Sequence, residues 1–212
     1  MIPLTWDAND KPAFLSVDSN ELRVNYLGHN ENDAVIRTNN PIPPQCKLFY
    51  FEINIINNAE NGIIAIGFCK KSAELNKLPG YGKNSWGYHC DDGCLFECSE
   101  IEEPYGPKFK SRDTIGCCLN FRNNTVFYTK NGVNLGIAFR DLENSMEDPY
   151  YPCIGVSSKG CSISIEANFG NKKFEYTAIT DNDIDDDRVK EEWIKVLKQC
   201  DNEDMIEVFI SH

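Results

Sequence analysis

Short segments in which apolar and polar residues alternate run through most of this chain, and their period of two restricts it to β-structure. In residues 48–56 the odd-numbered positions from 49 to 55 hold only Phe and Ile, so they would share one face of a strand. Residues 114–122 alternate in the same way, whereas residues 63–68 are apolar throughout and predict a central strand buried on both faces. About ten such segments, with almost no helical pattern among them, predict an all-β antiparallel sandwich or barrel.

Turn residues between these segments predict how the strands connect. Three hairpins are expected: residues 48–56 with 63–68 across a polar turn, residues 125–130 with 133–139 across Asn131-Gly132, and residues 152–157 with 161–169 across Ser158-Lys159-Gly160. In the second hairpin Leu135, Ile137 and Phe139 are in phase, so we expect all three on the buried face.

Residues 79–93, PGYGKNSWGYHCDDG, have a composition unlike the rest of the chain. Glycines at this density let the backbone bend sharply and take positive φ. Aromatic side chains on such a segment offer rigid contact area at low entropic cost, as they do in binding loops. The stretch is therefore interpreted either as an aromatic hairpin that closes one end of the core or as a recognition loop.

Charge and cysteine content narrow the class of protein. The net charge is −12, and residues 181–212 carry eleven Asp and Glu against four Lys and Arg. No basic stripe is present, which argues against nucleic acid as a partner. Nothing resembles a signal peptide or a membrane span, so we expect no membrane association and a cytoplasmic location, with the nucleus as the alternative. In that setting the ten cysteines should be reduced and mostly buried thiols.

The pattern changes after residue 180. Residues 181–187 form an acidic linker, and residues 188–200 predict a short C-terminal helix with one apolar face. This helix either docks on the sandwich, which base rates favour, or binds a partner. The apolar residues 205–210, MIEVFI, should be covered by something. The predicted organisation is a β-domain over residues 1–178 and an acidic helical tail over residues 179–212.

A set of eight segments resembles a SPRY domain, in family order. They are LFYFEI (48–53), IAIGF (64–68), LPGYGKNSWGYHCDDG (78–93), YGPKF (105–109), DTIGCCLNF (113–121), TVFYTKNGVNLGIAF (125–139), YYPCIGV (150–156) and EANFG (166–170). More narrowly, FYTKNG followed by LGIAF resembles Ran-binding protein M and its fungal relatives, which are subunits of the GID/CTLH ubiquitin ligase. The resemblance implies a bent, concanavalin-like β-sandwich without catalytic activity that binds short peptide segments of partner proteins through edge loops.

The resemblance also implies a partner-binding surface built from three loops, at residues 37–43, 75–86 and 157–160. Polar contacts would come from Arg37 and Asn39, and an aromatic anchor from Tyr81 or Trp86. Lys159 stands where some relatives have Trp, which suggests a more acidic ligand. The full candidate set is Arg37, Asn39, Pro41, Leu75, Leu78, Tyr81, Asn84, Trp86, Ser158 and Lys159. The alternative for each residue is ordinary loop packing.

The sequence also allows a metal site and a carbohydrate-binding or hydrolytic site to be considered. His89, Cys90, Cys94 and Cys98 have metal-binding side chains, but a spacing of four suits a helix that Gly93 would break, so no metal or other cofactor is predicted. A carbohydrate-binding or hydrolytic sandwich would use loop carboxylates, and residues 97–103 contain four glutamates. Adjacent acids on a loop are more typical of a solvated surface, so the prediction is a non-catalytic adaptor that binds protein, including GID/CTLH ligase subunits or their substrates.

Overall fold

The computed structural model describes residues 2–27, 32–43, 45–58, 62–143 and 145–177, which form an antiparallel sandwich of two β-sheets. This confirms the predicted fold class. The strands of the described residues are β1 (Leu15–Val17), β2 (Arg23–Tyr26), β3 (Ala34–Arg37), β4 (Leu48–Asn58), β5 (Ile63–Lys70), β6 (Ser85–His89), β7 (Cys94–Glu97), β8 (Glu103–Pro104), β9 (Thr114–Asn120), β10 (Thr125–Lys130), β11 (Val133–Phe139), β12 (Tyr150–Ser157) and β13 (Ile163–Asn168).

One sheet has seven strands in the order β1-β2-β13-β4-β9-β10-β11, and the other has six in the order β3-β12-β5-β6-β7-β8. Their facing surfaces enclose a core rich in aromatic side chains. The four alternating residues of β4 predicted to face inward are all buried. Trp6, before β1, is fully buried and packs edge-on against Phe169, with ring centroids 5.1 Å apart. The segment before β1 is therefore part of the domain.

Two of the three expected hairpins are wrong. β4 lies in the seven-stranded sheet and β5 in the six-stranded one, and β12 and β13 are divided between the sheets in the same way. A polar turn fits a crossing between sheets as well as a hairpin within one, so turn chemistry alone could not decide. β5 is apolar on both faces and occupies the middle of its sheet, between β12 and β6. The Asn131-Gly132 hairpin of β10 and β11 is confirmed.

Ile137 corrects the expected phase of β11. Val126 pairs with Phe139 and Phe127 with Ile137, so β11 carries an extra residue there. A β-bulge of this kind shifts the side-chain alternation by one position. Phe139 is therefore buried, whereas Ile137 is 47% exposed.

The middle of the outer face of the seven-stranded sheet, around Tyr50 and Glu52, is covered rather than solvated. Glu52, on the face of β4 opposite to the core, is buried, and its Oε1 accepts hydrogen bonds from the backbone N–H of Glu175 at 2.9 Å and of Tyr176 at 3.1 Å. The phenol of Tyr50 donates to the same oxygen at 2.9 Å. Phe174 packs edge-on against Tyr50. The residues that follow β13 thus cover this part of the sheet, and the Glu52 carboxylate binds their backbone.

The nine cysteines in the described ranges are thiols, and seven of them are buried, which confirms that part of the expectation. Cys200, the predicted helix at residues 188–200 and the apolar residues 205–210 lie outside the described residues. Within the described part of the chain, no helix is long and apolar enough to cross a membrane.

Candidate functional site

The loop of residues 71–84, which joins β5 to β6, lies on the outer face of the six-stranded sheet; we call it the covering loop. Glycines make this close approach possible. Gly67 and Gly87 are paired across β5 and β6. A Cβ atom at Gly87 would lie 2.2 Å from the carbonyl oxygen of Pro79, and one at Gly155 would lie 2.3 Å from Pro79 Cδ. The loop backbone at Pro79 therefore rests directly on the sheet.

His89, in β6, binds the covering loop from the side of the sheet. Its imidazole is fully buried, and its Nε2 donates to the carbonyl oxygen of Pro79 at 2.8 Å, since a carbonyl can only accept. The ring packs against Phe96 and Tyr81, with centroids 4.3 Å and 4.8 Å away. Burial lowers the pKa of His89 below its usual 6.5, so the neutral form is favoured in the folded protein. Ser85 adds a second support, because its Oγ accepts from the N–H of Gly80 at 2.8 Å.

The side chain of Arg37, at the end of β3, contacts three neighbouring segments. Its Nη2 lies 2.6 Å from the Oδ2 of Asp10, and its Nη1 donates to the carbonyl oxygen of Lys71 at 2.7 Å. The guanidinium also lies over the ring of Tyr151, 5.3 Å from the centroid. Arg37 thus links the segment before β1, the covering loop and β12.

β3 is an edge strand, and two segments flank its outer side. The N–H of Val35 donates to the carbonyl oxygen of Leu75 at 3.2 Å, and the N–H of Asp7 donates to the carbonyl oxygen of Arg37 at 2.9 Å. Exposed strand edges tend to pair with other chains, and such contacts occupy the edge. The covering loop and the segment before β1 therefore meet along β3.

A shallow groove of about 370 Å³ lies where these two segments meet. It is lined by Asn9, Asp10, Lys11, Pro12, Leu75 and Asn76. Leu75 is half-buried and packs on a small apolar cluster of Val35, Cys69 and Cys153. The groove thus offers two apolar side chains, Leu75 and Pro12, among charged and amide groups, an arrangement suited to a polar chain with an apolar residue.

Two of the ten candidate residues come together at this groove. Leu75 lines it, and Arg37 is joined to its wall through Asp10. Asn39 is exposed and Pro41 half-buried, and neither lines the groove. Lys159 is exposed in the turn after β12. β12 pairs Val156 with Ala34 at the far end of β3, so this turn follows the end of β3 opposite to Arg37.

Leu78 and Ser158, two further candidate residues, are both buried. Leu78 is 1% exposed, its side chain reaches the outer face of the sheet near Gly155, and its N–H donates to Asp33 Oδ2 at 3.2 Å. Ser158 is 3% exposed, and its Oγ accepts from the N–H of Cys161. An apolar loop residue next to a glycine-lined sheet is buried more readily than it is presented to a partner.

Trp86, Tyr81 and Asn84 have structural roles in the covering loop and its base. Trp86 stacks on Phe68 with centroids 5.3 Å apart, and its indole N–H donates to Glu97. Tyr81 is half-buried against His89, and burial raises its pKa to about 12. Asn84 takes a positive φ of 59° and its side chain donates to Ser72 Oγ at 3.0 Å. These three residues of the glycine-rich stretch therefore hold the covering loop in place.

Sequence reasoning missed Asp10, Lys11 and Tyr151, which border the groove or the guanidinium of Arg37. A local signal existed for the first two. Asp7 Oδ1 accepts hydrogen bonds from the N–H of Asn9 and of Asp10, an Asx turn that the sequence Asp-Ala-Asn-Asp favours. The position of this turn beside β3 could not be read from the sequence.

Of the side chains considered as metal ligands, His89 and Cys90 each have another hydrogen-bond partner. Cys90 Sγ accepts from the N–H of Ile64 at 3.1 Å, and His89 is bound to Pro79, so these two do not join Cys94. Within the described ranges, ligand atoms of Asp92, Cys94 and Glu102 lie within 4.8 Å of one another. Asp92 already accepts from the N–H of Cys94, which accounts for its position as turn chemistry.

Comparisons with known proteins identify several relatives of the chain. The chain is 43% identical over 203 residues to Ran-binding proteins 9/10 homolog of Drosophila melanogaster, an alignment that covers 94% of this chain and 20% of that protein. It is 40% identical over 204 residues to human Ran-binding protein 9, covering 94% of this chain and 26% of the relative. Ran-binding protein M homolog of Arabidopsis thaliana is 36% identical over 171 residues, covering 79% of this chain and 35% of the relative. The chain thus spans about a fifth to a third of the length of these curated relatives.

Solved structures support the fold. A crystal structure of a human SPRY domain superposes with a TM-score of 0.61 at 22% identity, covering 76% of this chain and 98% of that one. The SPRY domain of human HERC1 superposes with a TM-score of 0.64 at 15% identity, covering 79% of this chain and 99% of that one. The family model for the SPRY domain matches residues 48–171, more than half of the chain. By this match the chain belongs to the SPRY domain family, and it is similar to Ran-binding proteins 9, 10 and M.

Proposed function

We propose that this chain is a non-catalytic adaptor whose groove between residues 9–12 and 75–76 binds a short peptide segment of a partner protein. The observation that carries the proposal is the position of the groove, which lies beside an edge strand and a fixed arginine. Membership of a family of protein-interaction domains supports a protein as the partner.

The chemistry of the groove suits a peptide better than a small apolar ligand. Leu75 and the ring of Pro12 are the apolar side chains that line it, and amide or charged groups from Asn9, Lys11 and Asn76 surround them. Such a mixture fixes the register of an extended chain through hydrogen bonds and gains affinity from one apolar contact. A shallow site of this size fits micromolar binding, about −8 kcal/mol.

Selection from a displayed library of random 12-residue peptides tests this proposal. Recovered peptides should lose about tenfold or more in affinity for a Leu75→Ala variant, measured by fluorescence anisotropy, because a buried apolar contact of roughly 1.5–3 kcal/mol is removed. Leu27→Ala is the matched control, since Leu27 is 56% exposed at the end of β2 in the other sheet. Equal affinity for both variants would place the peptide elsewhere.

A cellular role can also be proposed, on the basis of the similarity to Ran-binding proteins. We infer that the chain acts in protein turnover as an adaptor linked to a GID/CTLH-type ubiquitin ligase, in the cytoplasm or the nucleus. Similarity to Ran-binding proteins over 94% of the chain supports this role. Affinity purification from native cells, with the Leu75→Ala variant as control, should recover ligase subunits or ligase substrates. Recovery of neither, together with intact peptide binding in vitro, would separate the module from that ligase.

A further inference from the structure

The Arg37 guanidinium beside the groove is already occupied by another part of the same chain. Its Nη2 contacts Asp10 Oδ2 at 2.6 Å, and Asp10 itself lines the groove. We propose that Asp10 is an internal competitor, and that the bound peptide carries an Asp or Glu side chain that replaces the Asp10 carboxylate on Arg37. This inference rests on the peptide-binding function proposed above and adds a ligand class and a regulatory contact to it.

The two partners of this ion pair are held very differently. The side chain of Arg37 is 12% exposed, whereas that of Asp10 is 51% exposed. Arg37 keeps its place without Asp10, because Nη1 is bound to the carbonyl oxygen of Lys71 and the guanidinium stacks on Tyr151. Rotation of the Asp10 side chain into water therefore leaves Nη2 in position for another carboxylate.

Departure of the Asp10 carboxylate does not require the segment to unfold. Asp7 fixes one side of the turn through its N–H bond to Arg37 and through its Oδ1, which accepts from the N–H groups of Asn9 and Asp10. Lys11 fixes the other side, where its Nζ donates to the carbonyl oxygen of Leu15 at 2.6 Å. None of these bonds uses the Asp10 carboxylate, so the wall of the groove remains when that carboxylate leaves.

The remaining charges of the groove favour an acidic ligand. Asp10 is the one acidic residue among those that line it, and Lys11 is the cationic one. The nearby Glu74 is paired with Lys77 at 3.0 Å. Once Asp10 has rotated away, a ligand meets Arg37 and Lys11 without a lining carboxylate to oppose it. An Asp or Glu placed near the Leu75 contact would then form a charge-assisted hydrogen bond with Arg37.

Competition of this kind has a measurable size. The apparent dissociation constant equals the intrinsic one divided by the fraction of molecules in which Arg37 is available. A partly exposed ion pair keeps that fraction well below one, so Asp10→Asn should tighten binding of an acidic peptide by about three- to tenfold. A pair with only a structural role would instead give a lower melting temperature and no gain in affinity.

The experiment uses the full chain and random 12-residue peptides selected separately on the wild type and on Asp10→Asn. Affinities are measured for the wild type, Asp10→Asn, Arg37→Gln, Leu75→Ala and a charge control, Glu166→Gln. The control removes one negative charge from an ion pair with Arg23 on the other sheet. The expected result is tighter binding to Asp10→Asn alone, weak binding to Arg37→Gln, and loss of the Asp10→Asn gain when the acidic residue of the peptide is replaced by its amide.

Each outcome decides between the two proposals. Peptides that depend on Leu75 but bind Asp10→Asn no better than the wild type, or that lack an acidic residue, overturn the competitor role and leave the groove intact. An equal gain for Glu166→Gln also overturns it, because net charge then explains the effect. Failure to recover peptides with either protein, or binding insensitive to Leu75→Ala, overturns both the groove and the competitor.

Discussion

Gly87 provides the sharpest test of how the covering loop is positioned. It lies in β6 opposite Gly67, and a Cβ atom there would be 2.2 Å from the carbonyl oxygen of Pro79. Ordinary contacts of a Cβ atom begin at about 3.4 Å, so Gly87→Ala requires the loop backbone to move by roughly 1 Å. The obstacle is backbone rather than the end of a flexible side chain, so local rearrangement cannot relieve it cheaply.

The magnitude follows from two effects. Overpacking of this kind costs about 1–3 kcal/mol. Displacement of the Pro79 carbonyl also weakens its hydrogen bond from His89 Nε2, now 2.8 Å long, at a further cost of about 1 kcal/mol. The free energy of unfolding should therefore fall by about 2–4 kcal/mol, which for a domain of this size lowers the melting temperature by about 5–15 °C.

Urea denaturation followed by tryptophan fluorescence measures this change, with Gly82→Ala as the matched control. A Cβ atom at Gly82 would meet its nearest neighbour, Lys77 Cδ, at 3.6 Å, an ordinary contact. That variant should be neutral or more stable by about 0.4–1 kcal/mol, because alanine reduces the freedom of the unfolded chain. Equal stability of the two variants would refute the claim that the loop rests on the sheet at Gly87.

Three further predictions concern ionisable groups that are buried or partly buried. His89→Gln should flatten the loss of stability on acidification from about pH 6.5 downward, because the folded wild type resists protonation through its lowered pKa while the unfolded chain takes up the proton; urea titrations at pH 7.5 and 5.5 compare the two, and parallel losses would contradict it. Burial raises the pKa of Glu52, so the folded state disfavours its ionised form, and Glu52→Gln should be more stable than the wild type at pH 7, with the gap closing toward pH 4.5. Although burial opposes it, hydrogen bonds from Asn131, Lys110 and Lys130 hold the pKa of Asp113 below its usual 3.8. Asp113→Asn should therefore lose stability at pH 7, and thermal melts should show the difference from the wild type shrinking from about pH 3.8 downward, as the pH approaches the lowered pKa of the folded state.

The fold class was predictable from the sequence because side-chain alternation is a local property of a strand. The inward set of β4 and the Asn131-Gly132 hairpin were both correctly placed on that basis. Strand pairing was less accessible, since the polar turns after β4 and β12 are compatible with staying in one sheet or crossing to the other. The phase error at Ile137 has the same origin, because a single bulged residue moves the alternation without altering composition.

The candidate site, like the fold, could be predicted from the sequence only in part. The sequence by itself determined which residue types are present, a glycine-rich aromatic loop and an arginine at a strand end, together with a resemblance to the SPRY family that the family model confirms. Only the tertiary structure decided that Leu78 is buried and that Asp10 reaches Arg37 across 27 positions of sequence. Burial of a loop residue depends on the glycine-lined sheet beneath it, and an ion pair between distant segments depends on which strand edge each segment flanks. Both are properties of packing between elements, which no local pattern encodes.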